Sequence, residues 1–139
     1  MRTFTAMGLF SVVALLITLF AGCDTAPKTS DKDIEHVDYQ KVKEWIAAST
    51  DKRPLLLVDL RSASQFAAGH LPGAVHIPLG DLQASDSRFR KADRIVFYHE
   101  SFTGLYADLA AKKLIAGGVT NVSSYGGGYI DWAKRESRE

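Results

Sequence analysis

The chain has 139 residues, of which 46% are hydrophobic and 24% are charged, and its 17 basic and 16 acidic side chains almost cancel. This near-zero balance gives no electrostatic case for a nucleic-acid partner or for an anionic surface. Cys23 is the single cysteine, so no disulfide can form within the chain and its stability must come from packing.

The amino-terminal segment has the pattern of an export signal. Arg2 is the only charged residue before Cys23, and residues 8–20 form an uncharged apolar run that ends in Phe20-Ala21-Gly22-Cys23. A basic start, a short apolar core and small residues before a cut site are typical of a secretory signal peptide. The run is shorter than the roughly 20 apolar residues that a bilayer span needs. The four residues ending in Cys23 resemble the lipobox of bacterial lipoproteins.

The lipobox resemblance implies cleavage before Cys23 and attachment of palmitate or related acyl chains to this residue. Several acyl chains hold a protein firmly to a membrane. We therefore expect residues 1–22 to be a signal peptide, residues 23–33 a lipidated cysteine with a polar, flexible tether, and residues 34–139 one domain. The protein would then be lipid-anchored in a bacterial cell envelope, with its domain facing the periplasm or the cell exterior. An uncleaved anchor with an incidental cysteine is the alternative.

Short apolar runs alternate with helical patterns beyond the tether. Asp38 is a predicted N-cap for a helix that carries Val42, Trp45 and Ile46 on one side, and residues 55–59 form a continuous apolar run that suits a buried strand. The next predicted elements are a short helix over 62–68 that stops at Gly69, a strand over 74–77, helical turns over 79–84 and a strand over 94–98. A helix is predicted over 105–116, with Leu105, Leu109 and Leu114 roughly in line and a stop at 117–118. A strand over 119–124 follows, and after 126–128 a closing helix holds Ile130 and Trp132.

This alternation of strand and helix predicts an α/β fold of the doubly wound type. Its expected architecture is a central parallel sheet of about five strands, with right-handed crossovers and helices on both faces. Pro72-Gly73 and Pro78 would fix tight turns between the short elements.

Six sequence blocks, taken in order, resemble the rhodanese family. They are VDLR at 58–61, QF at 65–66, GHLPGAVHIP at 69–78, DRIVFY at 93–98, GVTNV at 118–122 and GGGYIDW at 126–132. The blocks lie within residues 58–132, and the resemblance implies a rhodanese-like fold. The fold signature comprises Asp59, Arg61, Gly69, His70, Pro72 and Gly73. We expect the Asp59 carboxylate to accept backbone N–H bonds and to pair with Arg61.

The resemblance breaks at the loop that carries catalysis in active rhodaneses. There, the family has a nucleophilic cysteine after the strand, stabilised as a thiolate by backbone N–H groups. This chain has His99 at the equivalent position, and its loop continues with Glu100, Ser101, Phe102, Thr103, Gly104 and Leu105. No basic residue lies between His99 and Tyr106, while Glu100 adds a negative charge. We therefore expect an inactive sulfurtransferase, with no catalytic residue, cofactor or metal assigned.

Several functions remain open for such a domain. It would bind an unknown protein or small ligand at the His99 loop, and reach the membrane through the lipid on Cys23. Alternatively, His99 would serve a divergent enzyme as a neutral imidazole that binds a metal or accepts a phosphoryl group, or a partner would supply the missing thiol. The Ser101 and Thr103 hydroxyls are either nucleophiles beside His99 or caps for the following helix. His70 and His76 are expected to bond to backbone, and His36 to be exposed.

Overall fold

In a computed structural model, residues 30–100 and 103–138 are described, and ten helices and strands follow one another along them. They are β1 (Glu35–Val37), α1 (Tyr39–Ala48), β2 (Leu55–Asp59), α2 (Ala63–Ala68), β3 (Val75–His76), α3 (Ser87–Lys91), β4 (Arg94–Tyr98), α4 (Leu105–Ala116), β5 (Val122–Tyr125) and α5 (Gly128–Glu136). Short 3₁₀ turns at Asp31–Asp33 and Leu79–Asp81 complete the described elements.

The five strands form one parallel sheet in the order β1-β5-β4-β2-β3. This confirms the predicted α/β fold with a five-stranded parallel sheet. The central strand β4 pairs with β2, so that Asp59 lies opposite Tyr98, and with β5, so that Tyr98 also lies opposite Tyr125. The carboxyl ends of the strands therefore meet along one edge, where ligands bind in open α/β sheets.

Apolar side chains cover both faces of the sheet. On one face, Val58, Phe97 and Val122 pack with α3 and α4 through Phe89 and Leu114. On the other face, the core contains Val42 from α1 and Trp132 from α5, together with Leu57, Val96 and Tyr125. The two clusters explain why β2 and β4 are continuous apolar runs, since strands that are buried on both sides have no solvent-facing positions.

The leucines that the sequence places roughly in line on α4 do not together form the buried face of this helix. Leu114 is fully buried, but Leu105 is 57% exposed and Leu109 is 43% exposed. The face that meets the sheet consists of small residues, Ala107, Ala110 and Ala111, all of them buried. Alanine lets the helix backbone approach the sheet closely, which leaves the longer side chains half a turn away in solvent.

Side-chain caps fix the starts of the first two helices. Asp38 Oδ1 accepts a hydrogen bond from the backbone N–H of Lys41 at 2.9 Å, which confirms the predicted N-cap of α1. Ser62 forms a capping box with Gln65 at the start of α2, and Gly69 ends that helix. Both arrangements satisfy N–H groups that have no partner inside the helix.

Some predicted element bounds were wrong. The helical turns over 79–84 shrink to the single 3₁₀ turn, and the strand predicted over 119–124 begins only at Val122 and runs to Tyr125. The sequence prediction also missed β1 and α3, which are three and five residues long. Elements this short carry too few residues for a hydrophobic period to be recognised.

The proposed signal segment, Cys23 and residues 24–29 of the tether lie outside the described residues. Within residues 30–100 and 103–138, no helix combines the length and apolar character that crossing a membrane requires. The last predicted tether residues form the turn Asp31–Asp33, and the next residue, Ile34, is buried in the core.

Candidate binding site at the end of the central strand

The candidate site lies where β4 ends, at the centre of the carboxyl edge of the sheet. His99 directly follows Tyr98, the last residue of β4, and α4 begins six residues later at Leu105. Asp59 ends the neighbouring strand β2 and pairs with Tyr98 across the sheet. The topology thus brings the predicted signature residue Asp59 and the loop residue His99 to the same edge.

Asp59 and Arg61 form the buried ion pair that the sequence predicts. Asp59 is fully buried and Arg61 is 2% exposed. Asp59 Oδ1 accepts bonds from the backbone N–H and from Nε of Arg61, at 2.9 and 3.0 Å, and Nη2 of Arg61 lies 2.8 Å from Oδ2. This bidentate salt bridge offsets the free energy that each charged group loses when it is removed from water.

Arg61 has three further partners. Its Nη2 donates to the carbonyl oxygen of Gly69 at 2.5 Å, and its Nη1 donates to Oε2 of Glu100 at 3.1 Å. The guanidinium carbon lies 3.9 Å from the centroid of the Tyr129 ring, which covers one side of the group. Burial alone would lower the pKa of Arg61, but the hydrogen bonds and charges of Asp59 and Glu100 raise it. Arg61 therefore stays charged and fully engaged.

Glu100 ties the loop to helix α2. Its Oε2 accepts a second hydrogen bond, from Nε2 of Gln65 at 3.0 Å, besides that from Arg61. Gln65 also takes part in the capping box of α2, where its Oε1 accepts a hydrogen bond from the backbone N–H of Ser62 at 3.1 Å. The sequence showed Glu100 as an added negative charge but gave no sign of these contacts, because Arg61 lies 39 residues away.

His99 is partly buried, and its ring packs against the ring of Tyr106. The centroids of the two rings lie 4.4 Å apart with an angle of 32° between their planes. Burial lowers the pKa of His99, against the opposing charges of Asp59 and Glu100, while the charge of Arg61 also lowers it. Burial is the largest of these effects on the pKa of His99, and the lowered pKa favours the neutral imidazole. His99 Nδ1 is buried and has no hydrogen-bond partner among the described residues.

The hydroxyl of Tyr98 makes hydrogen bonds at this edge of the sheet. It accepts a hydrogen bond from the backbone N–H of Leu71 at 3.2 Å, and it also bonds to Asp59. Burial and the bond to Asp59 raise the pKa of Tyr98 far above its ordinary value, so the phenol stays neutral. The sequence analysis gave Tyr98 no role beyond the strand, since a tyrosine in an apolar run does not reveal where its hydroxyl points.

Two glycines let the loop and the start of α5 approach each other. The carbonyl oxygen of His99 accepts a hydrogen bond from the backbone N–H of Tyr129 at 2.9 Å. Gly128 has a φ of +62°, and a Cβ at this position would lie 2.3 Å from the same oxygen. Gly104, with a φ of +65°, packs against Gly126 on the other side of the loop. Glycine adopts a positive φ without steric cost, so Gly104 and Gly128 permit this close approach.

The other three histidines lie as the sequence predicts. His70 Nδ1 lies 3.0 Å from the carbonyl oxygen of Phe66, and His76 Nε2 lies 2.8 Å from that of Arg61, so both bond to backbone as predicted. The side chain of His36 is 56% exposed, as expected, and it lies 3.6 Å from Asp108.

Two further sequence predictions concern the hydroxyl groups of the loop and a metal ion. Ser101 and Phe102 lie outside the described residues. The N-cap of α4 is Gly104, which has no side chain, and capping of this helix by a neighbouring loop hydroxyl stays a prediction. In the described ranges, no group of three or more histidine, cysteine, aspartate or glutamate side chains is arranged to hold a metal ion.

Comparison with known proteins identifies the family. The family model for the rhodanese-like domain matches residues 40–135, which run from the first turn of α1 to the last turn of α5. The chain belongs to the rhodanese-like domain family. The matched range contains the Asp59–Arg61 pair, the His99 loop and the glycine turn before α5, so the site described above lies inside the rhodanese-like domain.

Curated relatives include known sulfurtransferases. The domain is 31% identical over 91 residues to a senescence-associated protein of Raphanus sativus, covering 57% of this chain and 49% of that protein. It is 33% identical over 103 residues to an adenylyltransferase and sulfurtransferase of Candida albicans, covering 66% and 22%. The human thiosulfate:glutathione sulfurtransferase is 29% identical over 96 residues, covering 58% and 81%. The rhodanese-like domain is thus homologous to sulfurtransferases, although the chain spans half or less of the first two relatives.

Solved structures share the fold. A Bacillus halodurans protein aligns with a TM-score of 0.65 at 24% identity, covering 76% of this chain and 75% of that one. The human single-domain sulfurtransferase aligns with a TM-score of 0.56 at 24% identity, covering 72% and 96%. At this identity the likeness establishes the rhodanese-like fold, and function must be argued from the site.

Proposed function

We propose that this rhodanese-like domain is a non-catalytic binding module of the bacterial cell envelope. In this proposal, lipid on Cys23 anchors it to the membrane, and its domain faces the periplasm or the cell exterior. A partner protein or a small ligand binds at the loop from His99 to Leu105. The domain then has the fold of the sulfurtransferases but does not catalyse sulfur transfer.

The residue that follows β4 carries the proposal. His99 directly follows the central strand β4, and in the resemblance to the rhodanese pattern this is the position of the nucleophilic cysteine. Sulfur transfer through a protein persulfide requires a thiolate, and an imidazole cannot take its place. Cys23, the only thiol of the chain, lies twelve residues before the first strand. An acylated Cys23 has no free sulfhydryl to offer to any site.

The charges around the loop also disfavour an anionic substrate. Two carboxylates, Asp59 and Glu100, flank the single guanidinium of Arg61, and both bond to it. Arg61 is the cation whose charge acts on His99 among the described residues, and Glu100 occupies it with a carboxylate of the chain itself. Thiosulfate or phosphate would have to displace Glu100 from Arg61 and approach its negative charge, which costs free energy in a partly buried site.

Exposed apolar side chains beside the loop support a binding role. Leu105, Tyr106 and Leu109 lie on the first half of α4, and Ile130 lies in the first turn of α5; each is between 39% and 57% exposed. Helices α4 and α5 both begin at the carboxyl edge of the sheet, next to the His99 loop. Exposed large apolar residues that gather around a loop are typical of a protein-binding surface.

A second candidate is a sulfurtransferase subunit whose partner supplies the thiol. The sulfurtransferase names of several relatives favour it, because the domain would then keep a place in sulfur transfer without its own nucleophile. An enzyme centred on His99 stays a prediction. His99 Nδ1 is buried without a hydrogen-bond partner among the described residues, which also hold no group of three or more side chains arranged for a metal ion.

Two experiments test the proposal. Purified protein incubated with thiosulfate and cyanide should form no thiocyanate, and turnover that persists in the Cys23→Ser variant would refute a silent domain. Co-purification from detergent-solubilised membranes should then recover a partner that is lost in Leu109→Glu but retained in the control Gln83→Glu, which adds the same charge at an exposed site away from the loop. A partner with a reactive thiol would support the subunit candidate instead.

A further inference from the structure

The edge of the sheet opposite His99 concentrates positive charge. Because all five strands are parallel, their amino ends share this edge with the segments that lead into them. Residues 49–55, 85–94 and 112–121 hold eight basic and three acidic side chains, a surplus of five. Residues 30–35, which lead into β1 at the same edge, add one basic and three acidic side chains, so the surplus there is three, whereas the whole chain has a surplus of one. The remainder of the chain is therefore net acidic. A chain-wide balance near zero hides this separation.

The three segments form one continuous surface, which we call the basic edge. Asn121 Nδ2 donates to the carbonyl oxygens of Ala92 and Asp93 at 2.7 and 3.1 Å, which joins the start of β5 to the start of β4. Arg53 Nε lies 3.4 Å from Asp93 Oδ2, which joins the segment before β2. A Cβ on Gly117 would lie 2.2 Å from the Cβ of Ala84, so the end of α4 packs beside the approach to α3.

Most of the acidic charge on the basic edge is already engaged. Asp86 pairs with Arg88 at 2.6 Å, and Asp93 pairs with Arg53. Lys52, Arg90, Lys91 and Lys113 are exposed at its surface. Arg94 stacks on Trp45, with 4.4 Å between the guanidinium carbon and the ring centroid, and stays partly accessible. The edge thus presents several basic side chains to solvent.

The tether reaches the domain at the same edge. The described chain starts at Ser30, and β1 begins with Glu35 at the amino end of the sheet, opposite Ser123. Asp33 and Glu35 line a groove of about 310 Å³ together with Arg53, Arg94 and Asn121. Six residues separate Cys23 from Ser30, and they span about 20 Å when fully extended. An acyl chain on Cys23 would therefore hold the basic edge close to the bilayer.

We infer that the basic edge faces the membrane and binds the anionic headgroups of phospholipids. This inference rests on the proposed anchoring through Cys23. Basic side chains near an anionic leaflet are attracted within about one Debye length, roughly 8 Å at physiological salt, which the short tether makes accessible. The His99 loop, at the opposite edge, then points away from the bilayer and is open to a partner from solution.

Lysine accessibility on vesicles tests the orientation. The mature acylated protein is reconstituted into vesicles of phosphatidylglycerol and phosphatidylcholine, or of phosphatidylcholine alone, and its amines are acetylated and quantified by mass spectrometry. Lys52, Lys91 and Lys113 should be labelled at least threefold less on the anionic vesicles, and 1 M salt should remove the difference because it shortens the Debye length to about 3 Å. Lys41 and Lys134, which follow carboxyl ends of strands, serve as internal controls.

The outcomes separate the orientation from the anchor. Flotation of the vesicles reports the anchor by itself, and protein that does not float contradicts both proposals. Protein that floats but is labelled equally on both kinds of vesicle keeps the anchor and overturns the basic edge. Protection of Lys41 and Lys134 in place of the three basic-edge lysines would also overturn it, since the exposed leucines beside the His99 loop would then face the lipid. The double variant Arg90→Glu, Lys91→Glu should lose the protection at Lys52 and Lys113 while still floating.

Discussion

Glu100 Oε2 lies 3.1 Å from Nη1 of Arg61, so the loop that follows the central strand is bound to the buried ion pair at the end of β2. Arg61 thereby connects two carboxylates, one fully buried on β2 and one partly exposed on the loop. The same guanidinium also bonds to Gly69 and stacks on Tyr129. Loss of Arg61 would free three separate segments at the candidate site.

Replacement of Arg61 should therefore destabilise the domain strongly. Arg61→Leu leaves the fully buried Asp59 carboxylate without its partner, and removal of one member of a buried pair costs about 3–5 kcal/mol. Urea denaturation followed by circular dichroism measures the free energy of unfolding. Arg88→Leu is the matched control, because its pair with Asp86 is solvent-exposed and is worth about 0–1 kcal/mol. Equal losses in the two variants would contradict the role given to Arg61.

Glu100 should hold the loop in place more than it stabilises the fold. Glu100→Ala removes the bonds to Arg61 and Gln65, and we expect a loss of about 1 kcal/mol together with faster amide hydrogen exchange at His99 and Gly104. Glu44→Ala, which breaks the exposed pair with Lys41, is the control and should leave exchange in the loop unchanged. Unchanged exchange in Glu100→Ala would show that the loop is held by other contacts.

Gly128 should not tolerate a side chain. In Gly128→Ala the backbone would keep a φ of +62° and the new methyl would meet the carbonyl oxygen of His99, so we expect a loss of about 2 kcal/mol or more. Gly80→Ala is the comparison, since no atom lies within 4 Å of a Cβ there. The test is a pair of thermal melts, and a Gly128→Ala melting temperature equal to that of Gly80→Ala would be inconsistent with the close approach.

His99 should make stability depend on pH in the mildly acidic range. Its pKa is lowered in the folded state, so the unfolded chain binds the proton more readily. Stability is therefore highest above the unfolded pKa of about 6.5 and falls as the pH drops from there through the lower folded pKa. The change in melting temperature between pH 7.5 and 5.5 should be smaller in His99→Asn than in the parent protein. An identical change in both would mean that the pKa of His99 is not lowered by burial.

The sequence predicted the fold better than the contacts of the site. The strands β2 and β4 were recognised at their true bounds because each is a continuous apolar run between turn residues, and Asp59 with Arg61 was recognised from the family pattern. The ties from Glu100 to Arg61 and Gln65 were missed because they link residues 39 and 35 positions apart in the chain. No local pattern encodes such long-range pairs.

The outer face of α4 shows a second limit of sequence reasoning. Leu105, Leu109 and Leu114 have a spacing that suggests one buried stripe, yet alanines meet the sheet and two of the leucines remain exposed. Hydrophobic periodicity alone cannot distinguish a stripe that packs on the sheet from one that is left for a partner, because both require apolar side chains at helical spacing. The basic edge was missed for a related reason, since a net charge of +1 says nothing about where charges gather in space.

The central claim, that the domain has no sulfur nucleophile, is tested most directly by intact-protein mass spectrometry. The Cys23→Ser chain is incubated with thiosulfate, and the variant Cys23→Ser, His99→Cys is treated in parallel to show whether a thiol at the end of β4 can be loaded. We predict that the mass of the Cys23→Ser chain stays unchanged. A gain of one sulfur atom that cyanide removes, in a chain without any cysteine, would contradict the account.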